Sequence, residues 1–135
     1  MHITLRSNEK IYINGAVLKA DRKVSIELLN DAVFLLEAHV MREDAATTPL
    51  RQLYYIVQLM LMEPDDLSVN RAMFNQQGAA MAAVYNDVTI LEGLARIATL
   101  VSKNRHFEAL KVIRSLLPVE DVLINPPAVV LAEAS

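Results

Sequence analysis

Lys10-Ile11-Tyr12-Ile13-Asn14-Gly15-Ala16-Val17 decides the first half of the fold. Ile11 and Ile13 alternate with Lys10, Tyr12 and Asn14, the period-two pattern of a strand with one face on a core. Asn14-Gly15 then sits between two apolar runs. Both residues tolerate positive φ, which a two-residue type I′ turn needs at its two central positions, so a hairpin is expected here.

Reading outward, Ile3 and Leu5 alternate with His2, Thr4 and Arg6 in the same manner. A further strand is expected over residues 24–29 with Val24, Ile26 and Leu28 inward, and Asn30-Asp31 offers a turn into another over 32–37. The expectation is an antiparallel meander of four or five short strands.

The pattern changes after Met41-Arg42-Glu43-Asp44. Thr48-Pro49 is a helix start, because the hydroxyl caps orphan amides and proline at the first helical position forfeits no bond. This helix should run to Met62 and stop before Pro64, and its apolar residues cover most of its circumference. A second helix is expected from Asp65 or Asp66 to about Tyr85, with a weak point at Gln77-Gly78. A third, capped by Asn86 or Asp87, carries an inward stripe of Leu91, Leu94, Ala98 and Val101. A fourth, capped by Asn104, turns Phe107, Leu110, Ile113 and Leu117 inward and ends at Pro118. Strands first and helices after give an α+β class: antiparallel β hairpins followed by a bundle of about four α-helices. Residues 1–124 form one domain in this reading, with a β module over about 1–41 and a helical module over about 47–118 sharing a core. Residues 125–135 are read as a flexible tail.

Composition narrows the function classes. The 135 residues are 53% hydrophobic and 21% charged, which excludes a disordered chain as the overall description. Cysteine is absent, so disulfides, thiolate nucleophiles and cysteine-based metal sites are excluded. No basic region leads into an apolar run at the start, and the apolar stretch over residues 54–62 is too short to span a bilayer. Cytoplasmic residence without membrane contact is the expectation. His2, His39 and His106 are scattered, and only His39 and Glu43 have helical i, i+4 spacing, too few ligands for zinc. No serine sits in a nucleophile context, Glu63, Asp65 and Asp66 cluster around Pro64 but two of them read better as helix-capping acids than as an acid/base pair, and Gly15, Gly78 and Gly93 build no phosphate loop. No enzyme activity, cofactor or metal is expected.

Binding is a different matter. The net charge is −3, yet residues 1–25 carry Arg6, Lys10, Lys19, Arg22 and Lys23 against Glu9 and Asp21, a surplus of three. With Ile3, Leu5, Ile11 and Ile13 inward, Thr4, Arg6, Lys10, Tyr12 and Asn14 share an outer face, with Lys19, Arg22 and Lys23 one hairpin turn away. Cations for phosphates and an aromatic platform for a base make a single-stranded RNA surface. The same residues also suit an ordinary solvated sheet face, which the acidic overall balance favours. The helices offer a rival basic patch in Arg96, Lys103, Arg105, Lys111 and Arg114, with Glu92 and Glu108 among them. A second feature is the apolar surplus of Tyr54, Tyr55, Met60 and Met62, with Met73, Phe74 and Met81. It fits either a tight core or a partner interface, and dimerisation through helix 49–62 or a β edge is expected.

Three stretches resemble the FlbT family of flagellin-synthesis regulators: Glu9-Lys10-Ile11-Tyr12-Ile13-Asn14-Gly15-Ala16-Val17, Asp21-Arg22-Lys23-Val24-Ser25-Ile26-Glu27-Leu28-Leu29-Asn30-Asp31, and Thr47-Thr48-Pro49-Leu50-Arg51-Gln52-Leu53-Tyr54-Tyr55-Ile56-Val57-Gln58. The resemblance covers residues 3–62, and Phe107-Glu108-Ala109-Leu110-Lys111 is similar to the family's C-terminal helix. It implies a post-transcriptional regulator that associates with the 5′ untranslated region of flagellin mRNA and limits its translation or lifetime. In some relatives the effect is activation, and the family works opposite a partner called FlaF. A protein-binding adaptor acting on flagellin or its chaperone system, with indirect effects on RNA, is the alternative. Arg6-Ser7-Asn8-Glu9 followed by Ile13 and Val17 is also similar to the first hairpin of the carbon-storage regulator CsrA, which binds RNA through strand edges of a dimer.

Overall fold

Asn14 and Gly15 have φ of 50° and 83°, and they join β2 (Lys10–Ile13) to β3 (Ala16–Lys19) with Ile13 opposite Ala16. That is the expected two-residue type I′ hairpin. The computed structural model describes residues 1–30, 32 and 34–126. Besides the hairpin it contains β1 (His2–Leu5), β4 (Val24–Glu27), β5 (Phe34–Leu36), α1 (Pro49–Met62), α2 (Leu67–Val84), α3 (Val88–Ser102) and α4 (His106–Ile124). The protein is therefore α+β, antiparallel strands first and helices after.

The strands do not form one meander. β1 pairs with β4 in a two-stranded ribbon, and β2 lies between β3 and β5 in a separate sheet. A turn with Asn8 at φ 66° swings the chain off the ribbon after Leu5. Asn8 N–H then donates to Ala20 O at 2.7 Å and Ala20 N–H to Glu9 O at 3.0 Å. β4 and β5 are shorter than expected. After Glu27 the pairing continues through Leu28 N–H to Met1 O at 2.8 Å and the Met1 amino group to Leu28 O at 3.4 Å, and a 3₁₀ turn begins at Glu37. The Asn30-Asp31 turn, the start of the strand expected over 32–37 and the tail expected over 125–135 lie partly or wholly outside the described residues.

Side chains on the β2–β5 sheet alternate between two apolar clusters. Ile11 and Phe34 join Ile3, Leu5 and Ala20, with Val24 and Ile26 packed against them. Leu35 joins the helical core, and Tyr12 packs against that same core. The sheet is thus a middle layer, with the β1–β4 ribbon on one face and the helices on the other. The helical core thus takes in residues of the sheet, and a second cluster lies on the sheet's other side, because period-two alternation sends neighbouring residues to opposite sides. β3 overhangs this arrangement with all four residues exposed.

α1 is the centre of the helical layer. Thr48 Oγ1 accepts from Arg51 N–H at 3.2 Å and Pro49 opens the first turn, as expected. Its buried residues include Leu50, Leu53, Tyr54, Ile56, Val57 and Met60, so α2 and α4 cover it from two sides. Gln58, also buried, receives Met41 N–H at 2.6 Å and donates to Met41 O at 2.8 Å, fixing the loop between the layers. α2 runs straight through Gly78. α3 starts on Asp87, whose side chain accepts from Ile90 N–H at 3.0 Å.

Three helix details differ from expectation. The buried face of α3 is Ile90, Gly93, Leu94, Ile97 and Val101, whereas Leu91 is half-buried and Ala98 exposed. Gly93 lies against α4: a Cβ there would overlap the Leu116 side chain. Asn104 does not cap α4. It takes φ 59° and ends α3, with Arg105 N–H returning to Leu100 O at 2.8 Å. Nor does α4 stop at Pro118. The proline is exposed and costs one backbone bond, and Glu120 and Asp121 beyond it are tied to α1, which holds the last turn. Phe107 and Leu117 are only half-buried on that helix.

Candidate nucleic-acid interface

The turn over residues 6–9 and the connection over residues 20–23 lie against each other. The bonds between Asn8, Glu9 and Ala20 hold them, along with Ser7 Oγ donating to Asp21 O at 3.3 Å. Leu5 pairs with Val24, so Arg6 and Lys23 emerge side by side at the end of the ribbon. Lys10 pairs with Lys19 at the same end of the neighbouring hairpin, and Arg22 stands in the connection between. Backbone pairing thus brings Arg6, Lys10, Lys19, Arg22 and Lys23 to one end of the β module.

All five are exposed, and none of them is within ion-pair distance of an acid among the described residues. Three acids share this end. Glu9 accepts Arg6 N–H at 2.9 Å and Glu37 accepts Lys10 N–H at 3.0 Å, so both carboxylates are engaged by backbone, and Asp21 is exposed. Two like charges directly opposite across a strand pair are unfavourable by themselves. An unpaired cluster with facing lysines is suited to an external polyanion.

Tyr12 does not join this cluster. It is half-buried on the helix-facing side of β2, where alternation places it because β2 is a middle strand with no solvated face. The expected base-stacking platform is corrected to a core contact. Tyr12→Ala should therefore lower unfolding free energy by about 2 kcal/mol in a denaturant titration. An unchanged midpoint would return Tyr12 to the surface.

The expected partner interface on α1 changes in the same way. Tyr54 and Met60 are 2% and 3% exposed, and Tyr54 Oη donates to His39 O, so both belong to the core of a single chain. Tyr55 and Met62 are half-buried. The rival helical cations are partly engaged. Arg105 is paired with Glu108 at 2.6 Å, Lys111 lies over the Phe107 ring at 4.8 Å, and Arg114 is half-buried. Burial, then the Arg114 and Lys111 charges, hold His39 below its ordinary value. Burial and the Arg71 charge do the same to His106. Neither histidine adds positive charge near neutral pH.

Sequence reasoning missed one polar centre. Glu120 is fully buried and accepts from Thr48 Oγ1, from Leu50 N–H at 2.8 Å and from Tyr85 Oη at 2.8 Å. Its neighbour Asp121 takes both Arg51 Nη atoms, at 2.7 and 3.0 Å. These bonds are a structural tie, a carboxylate seated at the N-terminus of α1. Among the described residues no group of three or more metal-ligating side chains occurs, and no helix is long and apolar enough to cross a membrane.

A family model described as "Flagellar protein FlbT" matches residues 1–124. The chain is 54% identical over 124 residues to a protein of Bradyrhizobium diazoefficiens named "Probable flagellum biosynthesis repressor protein FlbT 2", covering 92% of this chain and 91% of the relative. It is 46% identical over 134 residues to the "Probable flagellum biosynthesis repressor protein FlbT" of Rhizobium leguminosarum, covering 96% and 90%. A Brucella abortus protein of the same name is 50% identical over 130 residues, covering 96% and 86%. No solved structure matches.

Proposed function

The chain belongs to the FlbT family, and from that premise we propose that it is a cytoplasmic post-transcriptional regulator of flagellin synthesis. In this reading it associates with the 5′ untranslated region of flagellin mRNA and limits translation or message lifetime. The relatives' names are those of regulators of flagellum biosynthesis, not of enzymes. The observation that carries the RNA reading is the group of five exposed cations at one end of the β module, with no acid at ion-pair distance among the described residues. Phosphate contacts from such a group supply affinity without sequence, and exposed backbone and side-chain polar groups around the turns supply the rest.

A second reading makes the protein an adaptor for flagellin or a FlaF-like partner. It draws on the uncharged outer face of α2, where Val69, Met73 and Val84 are exposed. Capture of the tagged full chain from cell lysate with and without ribonuclease separates the two. The RNA reading expects flagellin message on the beads before nuclease, with any captured flagellin released by nuclease. Flagellin retained after nuclease, with no message retained before it, would establish the adaptor instead.

A further inference from the structure

Among the described residues β3 is an edge of its sheet, with β2 on one side and no strand paired on the other. Ala20 N–H donates to Glu9 O at 3.0 Å, which fixes the parity of the hairpin. In an antiparallel pair, opposites that exchange bonds alternate with opposites that do not. Glu9 and Ala20, one step beyond Lys10 and Lys19 in register, are a bonded pair, so Leu18 and Ala16 also turn N–H and C=O toward β2. Val17 and Lys19 turn theirs outward. Among the described residues no main-chain bond from another element reaches either of them. Proteins ordinarily cover or blunt such an edge. This one keeps Val17 and Leu18 60% and 49% exposed.

Charge decides what this edge meets. Lys19 ends β3 opposite Lys10, and Arg22 and Lys23 follow at the same end of the module, so the open edge begins inside the cation cluster. A protein strand is a poor occupant. β3 offers it only two outward residues, and an edge lysine is a common guard against strand addition. The same lysine attracts a phosphate. Each outward residue presents one N–H donor and one C=O acceptor side by side, in an order that the strand fixes. Unpaired RNA bases are read on edges that carry donors and acceptors in an order of their own. We infer that the β3 edge is the base-reading part of the RNA site: Val17 and Lys19 hydrogen-bond bases through their main chain while the five cations hold the phosphates. The inference rests on the RNA reading above and adds the sequence discrimination that phosphate contacts lack. The exposed Val17 and Leu18 side chains suit base faces, which are apolar, and not phosphates.

Fluorescence anisotropy of the full chain with two RNAs, the flagellin 5′ untranslated region and polyuridylate of equal length, tests this. V17P removes an outward N–H and no ladder bond, and an edge strand tolerates proline in that orientation. It should lower the ratio of the two affinities about tenfold. Its affinity for polyuridylate and its salt slope should stay at wild-type values, because every cation is kept. V17A keeps the amide and should keep most of the ratio. Amide exchange of the wild type needs no variant, and it decides alone if circular dichroism shows V17P unfolded. Val17 and Lys19 N–H should exchange fast in the free chain and slow roughly tenfold more with the untranslated region than with polyuridylate. A wild-type ratio near one, an unchanged ratio in folded V17P, or amides that stay fast in the complex would overturn the inference and leave the RNA reading standing. Amides already protected in the free chain, increasingly so at higher concentration, would place a second copy's strand on the edge and overturn it too. Binding to neither RNA would remove the RNA reading itself and this inference with it.

Discussion

Replacing Glu120 with alanine is expected to lower unfolding free energy by about 4 kcal/mol, the largest loss for any single polar side chain of this protein. The carboxylate has no solvent contact, yet both of its oxygens accept hydrogen bonds. Three donors depend on it: the Thr48 hydroxyl, the Leu50 amide at the orphan end of α1, and the Tyr85 phenol. Leaving buried donors unmade costs about 1–3 kcal/mol each, although Thr48 is only partly enclosed. Arg51, 3.7 Å from Glu120, limits the damage because it keeps its two bonds to Asp121. Glu120→Gln should cost about half as much, since the amide preserves shape but brings two hydrogens toward a site built of donors. Denaturant midpoints at constant slope measure both. A loss below about 1 kcal/mol for alanine would mean that water replaces the carboxylate.

The same centre has a spectroscopic signature. Burial, the hydrogen bond to Glu120 and the Glu120 charge together push the Tyr85 phenol up to about 12 from an ordinary 10.0. A phenol whose pKa is raised on folding contributes stability that is intact below pH 10 and is lost as pH rises through 12. Phenolate absorbance should show a late-titrating tyrosine that disappears in Tyr85→Phe. In Glu120→Ala it should move down without returning fully to 10, because burial is the largest cause and persists.

Local chemistry was legible in the sequence and distant pairing was not. Asn14-Gly15 needs only its own two residues to specify a type I′ turn, and Thr48-Pro49 needs only the next turn of helix. Pairing β1 with β4 instead of β2 depends on where a turn at Asn8 aims the chain, which no alternation pattern encodes. Alternation correctly separated Ile11 and Ile13 from Tyr12. A wet second face belongs to a two-layer sheet, and the continuous Phe34-Leu35-Leu36 run is the sign in the sequence of a strand buried on both faces. Local rules alone make Pro118 a helix terminator. The tie between Glu120 and the start of α1, some 70 residues earlier, outweighs that preference. The five cations were found because they are close in sequence, and their union at one end of the fold follows from register.

That union sets the largest expected effect on binding. Changing Arg6, Lys10, Lys19, Arg22 and Lys23 together to glutamine should weaken association with flagellin 5′ untranslated RNA on the order of a thousandfold near physiological salt, if each cation neutralises one phosphate. A less drastic variant tests the mechanism more sharply. For single-stranded RNA the slope of log affinity against log salt is roughly 0.7 per phosphate neutralised, so Arg22→Ala with Lys23→Ala should flatten it by about 1.4. The loss should be nearly uniform across RNA sequences, because phosphate contacts position the ligand without reading bases. Stability should hold or rise slightly in the full variant, since removing the Lys10–Lys19 opposition relieves roughly 0.2–1 kcal/mol of repulsion. A fall in affinity with a lower midpoint would therefore point to unfolding, and the midpoint must be measured on the same preparation. Undiminished affinity and an unchanged slope in a folded quintuple variant would remove the basic end of the β module from RNA binding altogether.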